Sequence, residues 1–481
     1  MRKLNLLFLG IFFVLSMVGC KPAEDNDDDG SNTSSKTSEI FGNFTDNYSG
    51  THTITAATWV NGISSYLISK INKTDRYLIA KNDAGNPFNG GLYSRFDWTV
   101  DSNGNRYYCQ IAYNATSAAD AEAVNTADKT SPSTGGCGGF AWSKLISFNE
   151  VLGEFADNYS GSHSISSTRW VQGESGFSIT KISTDSDYML AKNDTDNAYN
   201  GGKYSRLDWA TDSSGNLYYC QIAYDKNSES EAEAITTADK SSPSTGGCGG
   251  FAWSRLIAFN DVIGEFADNY SGAHSVSATR WIQGNSGFTV SKINADSDYL
   301  VAKNDASNDY NGGKYSRLDW TKDGNGDLYY CQIAYDKASE SEAEAVTTAD
   351  STSPSTGGCG GFAWSKLISF SEVIGEFADN YSGSHSISAT RWIQGESGFT
   401  ITKINSKDNY LITLNDAVNA YNGGKYSRMD WTTESNGDLY YCQIAYDAAS
   451  ASDAEAIDTA DDSSPSTGGC GGFAWSKLTS F

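Results

Sequence analysis

In the C-terminal quarter of the chain, residues 385–392 alternate loosely between apolar and polar positions, and residues 398–404 do so more strictly. This is the period-two pattern of strands with one buried face. A short apolar run at 409–414 and β-rich runs at 425–432 and 439–446 come next, the last two separated by a Glu-Ser-Asn-Gly-Asp segment whose Asn436-Gly437 step is a strong hairpin signal. Asn415-Asp416 and Asn422-Gly423-Gly424 supply further turns. Only residues 448–460, rich in Ala with Asp and Glu, read as helical, and 473–481 reads as a closing strand. The pattern predicts a mainly β fold. It describes about six short strands in meander order, forming a small antiparallel β-sheet or open barrel, with one short helix and a glycine-rich loop covering one side.

The same pattern recurs four times. Cys109, Cys220, Cys331 and Cys442 are each 111 residues apart, and Cys137, Cys248, Cys359 and Cys470 keep the same step. Ile40, Val151, Val262 and Val373 mark equivalent starts, which divides the chain into repeats at 40–150, 151–261, 262–372 and 373–481. A period this long fits a self-sufficient domain rather than a solenoid unit. The junction around residues 370–377 is too apolar for a loose connector, so neighbouring domains are expected to pack into a semi-rigid rod.

Nine cysteines are one plus two per repeat. In an oxidising compartment the simplest reading is one disulfide within each domain, with bridges between repeats left open by the sequence. Two cysteines and one histidine per repeat make a poor zinc set, and no cofactor is implied.

The odd cysteine sits in a distinct context. Arg2 and Lys3 precede an apolar run from residue 4 to 18, and Gly19 precedes Cys20. This is the layout of a secretory signal peptide over residues 1–19. Met17-Val18-Gly19-Cys20 resembles the lipobox of bacterial lipoproteins, which implies that Cys20 becomes a lipidated N-terminus and anchors the chain to a membrane. Residues 20–39, acidic and then rich in Ser, Thr and Asn, read as a flexible tether. Their acidic cluster resembles the export signals of surface-displayed bacterial lipoproteins, which implies an outer-membrane, surface-exposed location. The alternative is a plain solvated spacer.

The candidate chemistry is sparse. His52, His163, His274 and His385 occupy one equivalent position, where a general base and a strand-start histidine bonded to backbone are the competing readings. No serine or cysteine nucleophile has a triad context, which favours the second. Residues 304–320 and their counterparts place Asn, Asp, Tyr and Trp around glycine turns, the residue types a carbohydrate site uses. On a strand there, Tyr315, Arg317 and Asp319 share one face, Ser316, Leu318 and Trp320 the other, and Arg317 can pair with Asp319. The candidate ligand-binding set is Arg169, Asp208 and Trp209, with Arg280, Asp319 and Trp320 and with Arg391, Asp430 and Trp431 in the next two repeats. Repeat 1 has Thr58 in place of that arginine, and Pro87-Phe88 where the others have Ala-Tyr or Asp-Tyr. It is therefore expected to act as a pedestal for the outer three. The residues 323–327, Asp-Gly-Asn-Gly-Asp, mimic the start of a calcium loop but lack its distal glutamate and read as a turn.

Charge narrows the partners. The chain carries a formal −25, and losing Arg2 and Lys3 with the signal peptide makes it −27. Such a surface repels phosphate backbones, which argues against nucleic acid. The phrases Tyr-Tyr-Cys-Gln-Ile-Ala-Tyr and Gly-Gly-Cys-Gly-Gly-Phe-Ala-Trp resemble uncharacterised two-cysteine domains found in tandem in bacterial surface lipoproteins. The sequence thus leads to the expectation of a surface-anchored, non-catalytic binding or adhesion array for a glycan or extracellular protein, with repetition adding avidity. Two alternatives remain at this point: a structural spacer or coat protein, and an extracytoplasmic hydrolase using the repeat histidine.

Overall fold

The computed structural model describes residues 40–481. The expected signal peptide, Cys20 and the expected acidic tether lie outside the described residues. The chain from residue 40 onward forms four closed, eight-stranded, antiparallel barrels in simple meander order, one per repeat.

The first barrel consists of β1 Gly42–Asp46, β2 Thr51–Ile54, β3 Thr58–Asn61, β4 Ser64–Asn72, β5 Tyr77–Asn82, β6 Tyr93–Val100, β7 Arg106–Ala115, helix α1 Ala118–Ala123 and β8 Ser143–Ser147. It closes where β1 pairs with β8, Phe44 opposite Ser147 and Asp46 opposite Leu145. Alternation decides the facing. On β6, Ser94, Phe96 and Trp98 are buried toward the interior, while Arg95 and Asp97 are buried on the outer face beneath α1. The helix presents Ala121 to Tyr77 and Ile79 on β5. It begins at a Ser117 cap that accepts the Asp120 amide. Aromatic rings fill the barrel interior: Trp59 stacks on Phe96 at 4.5 Å and lies 5.1 Å from Tyr108.

The meander and mainly β class agree with the pattern in the sequence, but the sheet is a closed barrel of eight strands rather than six. Residues 385–392 form two strands, Ser384–Ile387 and Arg391–Gln394, broken by a tight turn. The apolar junction contributes a further strand, Gly375–Asp379. The predicted helix shrinks to Ala451–Glu455, because Arg428 Nη1 donates to the Glu455 carbonyl at 2.9 Å and draws it out of the helical ladder. Each barrel carries its own disulfide: Cys109–Cys137, Cys220–Cys248, Cys331–Cys359 and Cys442–Cys470.

The expected rod is instead a ring. The second half of β4, residues 68–72, runs past the end of its partner β3, where Thr58 opposite Leu67 is the last pair. A bulge lies between Ile68 and Lys70, and that half-edge is covered by the β1–β2 turn of another barrel. Ile182 N of barrel 2 donates to Ser49 O of barrel 1, Ile293 N of barrel 3 to Ser160 O of barrel 2, and Ile404 N of barrel 4 to Ser271 O of barrel 3. The series then closes: Ile71 N of barrel 1 donates to Ser382 O of barrel 4. A head-to-tail contact repeated through a closing rotation yields a ring rather than a filament. Here the four units share one chain.

The joints are apolar as well as hydrogen-bonded. The connector residues Phe148, Phe259 and Phe370 pack on Trp209, Trp320 and Trp431 of the following barrel, with ring centroids 5.8, 5.5 and 5.7 Å apart. The terminal Phe481 plays this part at the closing joint. It meets Phe41 edge-on at 4.3 Å, joins the apolar cluster of barrel 1 and lies under Lys73. A carboxylate on the first strand reinforces three joints: Glu154, Glu265 and Glu376 accept the amides of Ala278, Ala389 and Ala56. At the first joint Asn43 takes the equivalent place and accepts from Ser167 N.

Candidate functional site

The histidines lie near the start of the second strand of each barrel, wholly enclosed, and their partners are side chains rather than backbone. Trp170 Nε1 donates to His163 Nδ1 at 3.2 Å, so Nδ1 is unprotonated and the Nε2 proton faces Asp157 Oδ2 at 3.1 Å. The other oxygen, Oδ1, accepts the amides of Tyr159 and Gly161 in the β1–β2 turn. Burial raises the Asp157 carboxyl, but the hydrogen bonds from His163 and the turn amides outweigh it and hold the group below its ordinary value. The same arrangement recurs at His52, His274 and His385. Its geometry is that of a brace. It ties the indole in the barrel interior to the turn that docks on the next barrel.

The predicted ligand-binding set comes together only in part: in barrel 4 Asp430 and Trp431 both border one cavity, and Arg391 does not. Arg169, Arg280 and Arg391 form ion pairs with Asp194, Asp305 and Asp416 on the flank of each barrel. Trp209, Trp320 and Trp431 are buried against the connector phenylalanines. Asp208, Asp319 and Asp430 lie elsewhere, on the outer face beneath the helix, each gripped by the arginine two residues before it. In barrel 3, Arg317 reaches Asp319 through Nε at 2.9 Å and Nη2 at 2.8 Å, the same-face pair expected from alternation.

This last place is a built site. In barrel 4, Arg428 binds both oxygens of Asp430, bonds to Asp458 and to the Glu455 carbonyl, and stacks on Tyr410 at 4.2 Å. Tyr410 in turn donates to Glu455 Oε1 at 2.6 Å, which also pairs with Lys403. A cavity of about 500 Å³ opens beside this cluster, with Asp408, Asp430, Asp458, Asp462 and Trp475 in its wall. Burial pushes the Asp430 carboxyl above its ordinary value despite Arg428, and the neighbouring Asp458 and Asp462 carboxylates add to the rise. Asp319 of barrel 3 is likewise raised by burial. The Gly468-Gly469-Cys470 segment closes over the tryptophan beside the cavity. A Cβ on Gly469 would stand 1.8 Å from the Asp461 carbonyl, and its φ of 90° is also outside the range of other residues.

A second feature is absent from the predicted set. Each barrel exposes aromatic side chains at the same places: Tyr421, Tyr446 and Phe473 in barrel 4 are 84, 55 and 78 % exposed. They are mutually tethered. Asn415 Nδ2 donates to Asn422 O, next to Tyr421, and to Tyr446 O on the seventh strand. Phe473 stands opposite Cys470 in the small hairpin that the disulfide clamps to the same strand. The signal available in the sequence was the invariance of these rings across copies: even divergent repeat 1 keeps Phe88, Tyr113 and Phe140, all exposed.

The Asp323 carboxylate accepts the amides of Asn325 and Asp327 and so serves its own turn. Among the described residues, no group of three or more His, Cys, Asp or Glu is poised to hold a metal ion. No family model, curated protein or solved structure matches the chain.

Proposed function

We propose that this chain is a lipid-anchored protein of the bacterial cell surface that works as a non-catalytic binding or adhesion array, with a glycan as the leading ligand class and an extracellular protein as the other. The observation that carries the reading is the set of solvent-exposed aromatic rings repeated on all four barrels. An exposed Tyr or Phe forgoes roughly 1.5–3 kcal/mol of burial, and a mere scaffold gains nothing by holding four of them, Tyr381 with the three above in barrel 4, at fixed places in every copy. Flat rings on a rigid sheet match the apolar faces of sugars. A ring of four barrels carries four copies of that face, and a branched or polymeric ligand that reaches several at once gains from effective concentration.

The test is a glycan and extracellular-matrix array probed with the exported chain, beside a variant carrying Phe140→Ala, Phe251→Ala, Phe362→Ala and Phe473→Ala. Binding by the first and loss in the second supports the reading. Blank arrays for the unaltered chain sink it and leave a structural spacer.

A further inference from the structure

The places beneath the helices of the four barrels differ at one lysine. In barrel 1, Lys129 reaches into the cavity, donates to the carbonyls of Asp75 and Arg76, and stands 3.4 Å from Asp97 Oδ1. In barrel 2, Lys240 does the same with the carbonyls of Ser186 and Asp187, at 2.5 and 3.0 Å. The equivalent residue is Ser351 in barrel 3 and Asp462 in barrel 4. The acceptors nevertheless persist there: the carbonyls of Ser297 and Asp298 beside Asp319, and those of Asp408 and Asn409 beside Asp430. Asp298 O and Asn409 O each receive one backbone amide, from Trp320 and Trp431, and a carbonyl has two lone pairs.

We propose that barrels 3 and 4 each offer a seat for a primary alkylammonium group supplied from outside the chain, the seat that barrels 1 and 2 fill with their own lysine. Barrels 1 and 2 show the chemistry of the seat with an internal occupant. Both show an ammonium held by this pair of carbonyls, joined in barrel 1 by Asp97 of the buried arginine pair and in barrel 2 by Asp187 Oδ2 at 3.4 Å. Replacing lysine by serine or aspartate removes the cation and leaves the acceptors. In barrel 4 it also adds a carboxylate, Asp462, to a wall that already contains Asp408 and Asp458. Burial raises the carboxyls of Asp319 and Asp430, and in barrel 4 the Asp458 and Asp462 carboxylates add to the rise. The seat is separate from the exposed aromatics and takes a different chemistry, so it stands or falls independently of the glycan reading. An ammonium arrives either on a small free amine or on a lysine side chain of a partner protein. The strongly acidic surface steers both toward it.

The experiment is a titration of the whole exported chain, followed by NMR and calorimetry, with butylamine in one arm and a short lysine-containing peptide in the other. The peptide acetylated on the lysine Nε is the control. We expect saturable binding at two seats per chain and none with the acetylated peptide. The surface substitutions Ser351→Lys and Asp462→Lys together install the internal lysine and should abolish binding. Conversely, Lys129→Ala with Lys240→Ala should raise the stoichiometry to four. Equal binding of both probes indicates a small-amine ligand, and markedly tighter binding of the peptide indicates a protein partner. No binding of either probe, binding that survives the two lysine substitutions, or binding of calcium alone would overturn the proposal.

Discussion

The Ser382 carbonyl of the fourth barrel accepts the Ile71 amide of the first at 3.1 Å, joining parts of the chain more than three hundred residues apart. That bond makes the ring a property of one polypeptide. The Ser382 backbone reaches it only in the left-handed region, at φ 67°, held there by Asp379, which accepts the amides of Tyr381 and Gly383. A Cβ on Gly383 would stand 2.7 Å from Asp379 Oδ2. Gly383→Ala should therefore displace the carboxylate and loosen the closing joint at a cost of about 1–3 kcal/mol. Small-angle scattering should show a larger radius of gyration than the unaltered ring, with the barrels intact by circular dichroism. An unchanged radius and melting temperature would contradict this account of closure.

The brace behind that turn invites a second substitution. Removing the imidazole of His163 takes the partner from Asp157 Oδ2 and from the buried Trp170 indole N–H, although Asp157 Oδ1 keeps its turn amides. Leaving a buried polar group short of a partner costs about 1–3 kcal/mol, and more where the group is charged. His163→Ala should thus lower the unfolding free energy by about 2–5 kcal/mol in a denaturant titration, since two buried groups lose a partner. Arg255→Ala, on an exposed side chain of the same barrel, should shift it by under about 0.5 kcal/mol. A general base would be exchangeable without this penalty, so equal effects for the two variants would favour a role other than bracing.

The features legible in the sequence are those whose signals are local. The repeat, the cysteine spacing, the Asn436-Gly437 turn and the two faces of residues 315–320 were readable because each depends on neighbours in the chain. Closure of the barrel was not, because it depends on the pairing of Phe44 with Ser147 across the whole repeat. The strand Gly375–Asp379 reads as a connector in the sequence: with only Phe377 and Ala378 apolar among its five residues, it is too short to show a period of two. The candidate site comes together only in part for a related reason. Asp430 and Trp431 are adjacent in sequence but face opposite sides of a strand, while Arg391 sits on another strand with its own partner, Asp416. The ring was illegible because a rod and a ring differ only in the rotation between neighbours.

The disulfides stabilise a loop rather than the barrel. Each joins residues 28 apart, and closing such a loop contributes roughly 3–4 kcal/mol in the chain-entropy model. The interior apolar cluster of barrel 3, including Trp281, Phe288 and Leu318, contains neither Cys331 nor Cys359. Reduction should lower the melting temperature while leaving the strand signal intact below it. Hydrogen exchange should accelerate first in the loops that carry the second cysteine, such as the one that brings Asp458, Asp462 and Trp475 to the cavity wall of barrel 4. Loss of the whole strand signal on reduction at room temperature would show that the barrels depend on the bridges.

Two sets of carboxyls pull acid stability in opposite directions. Burial raises Glu154, Glu265 and Glu376 at three of the joints, against the hydrogen bonds from Ser and from the neighbouring barrel's amide. A carboxyl with a raised folded value holds its proton more tightly in the folded state. Stability is therefore gained as pH falls through that value toward the ordinary carboxyl value of about 4.3. Asp319 and Asp430 act in the same sense. The turn aspartates Asp46, Asp157, Asp268 and Asp379 are depressed, because the histidine and turn hydrogen bonds outweigh burial. Their contribution is full above the ordinary Asp value of about 3.9 and is lost as pH falls through the lower folded value. The melting temperature should therefore rise on mild acidification and then drop at lower pH. Glu154→Gln, Glu265→Gln and Glu376→Gln together should flatten the rise, because an amide oxygen accepts the same bond without a charge to desolvate. The later drop should remain. A melting temperature that falls steadily from neutral pH in the unaltered chain would show that the joint glutamates are not the groups in control.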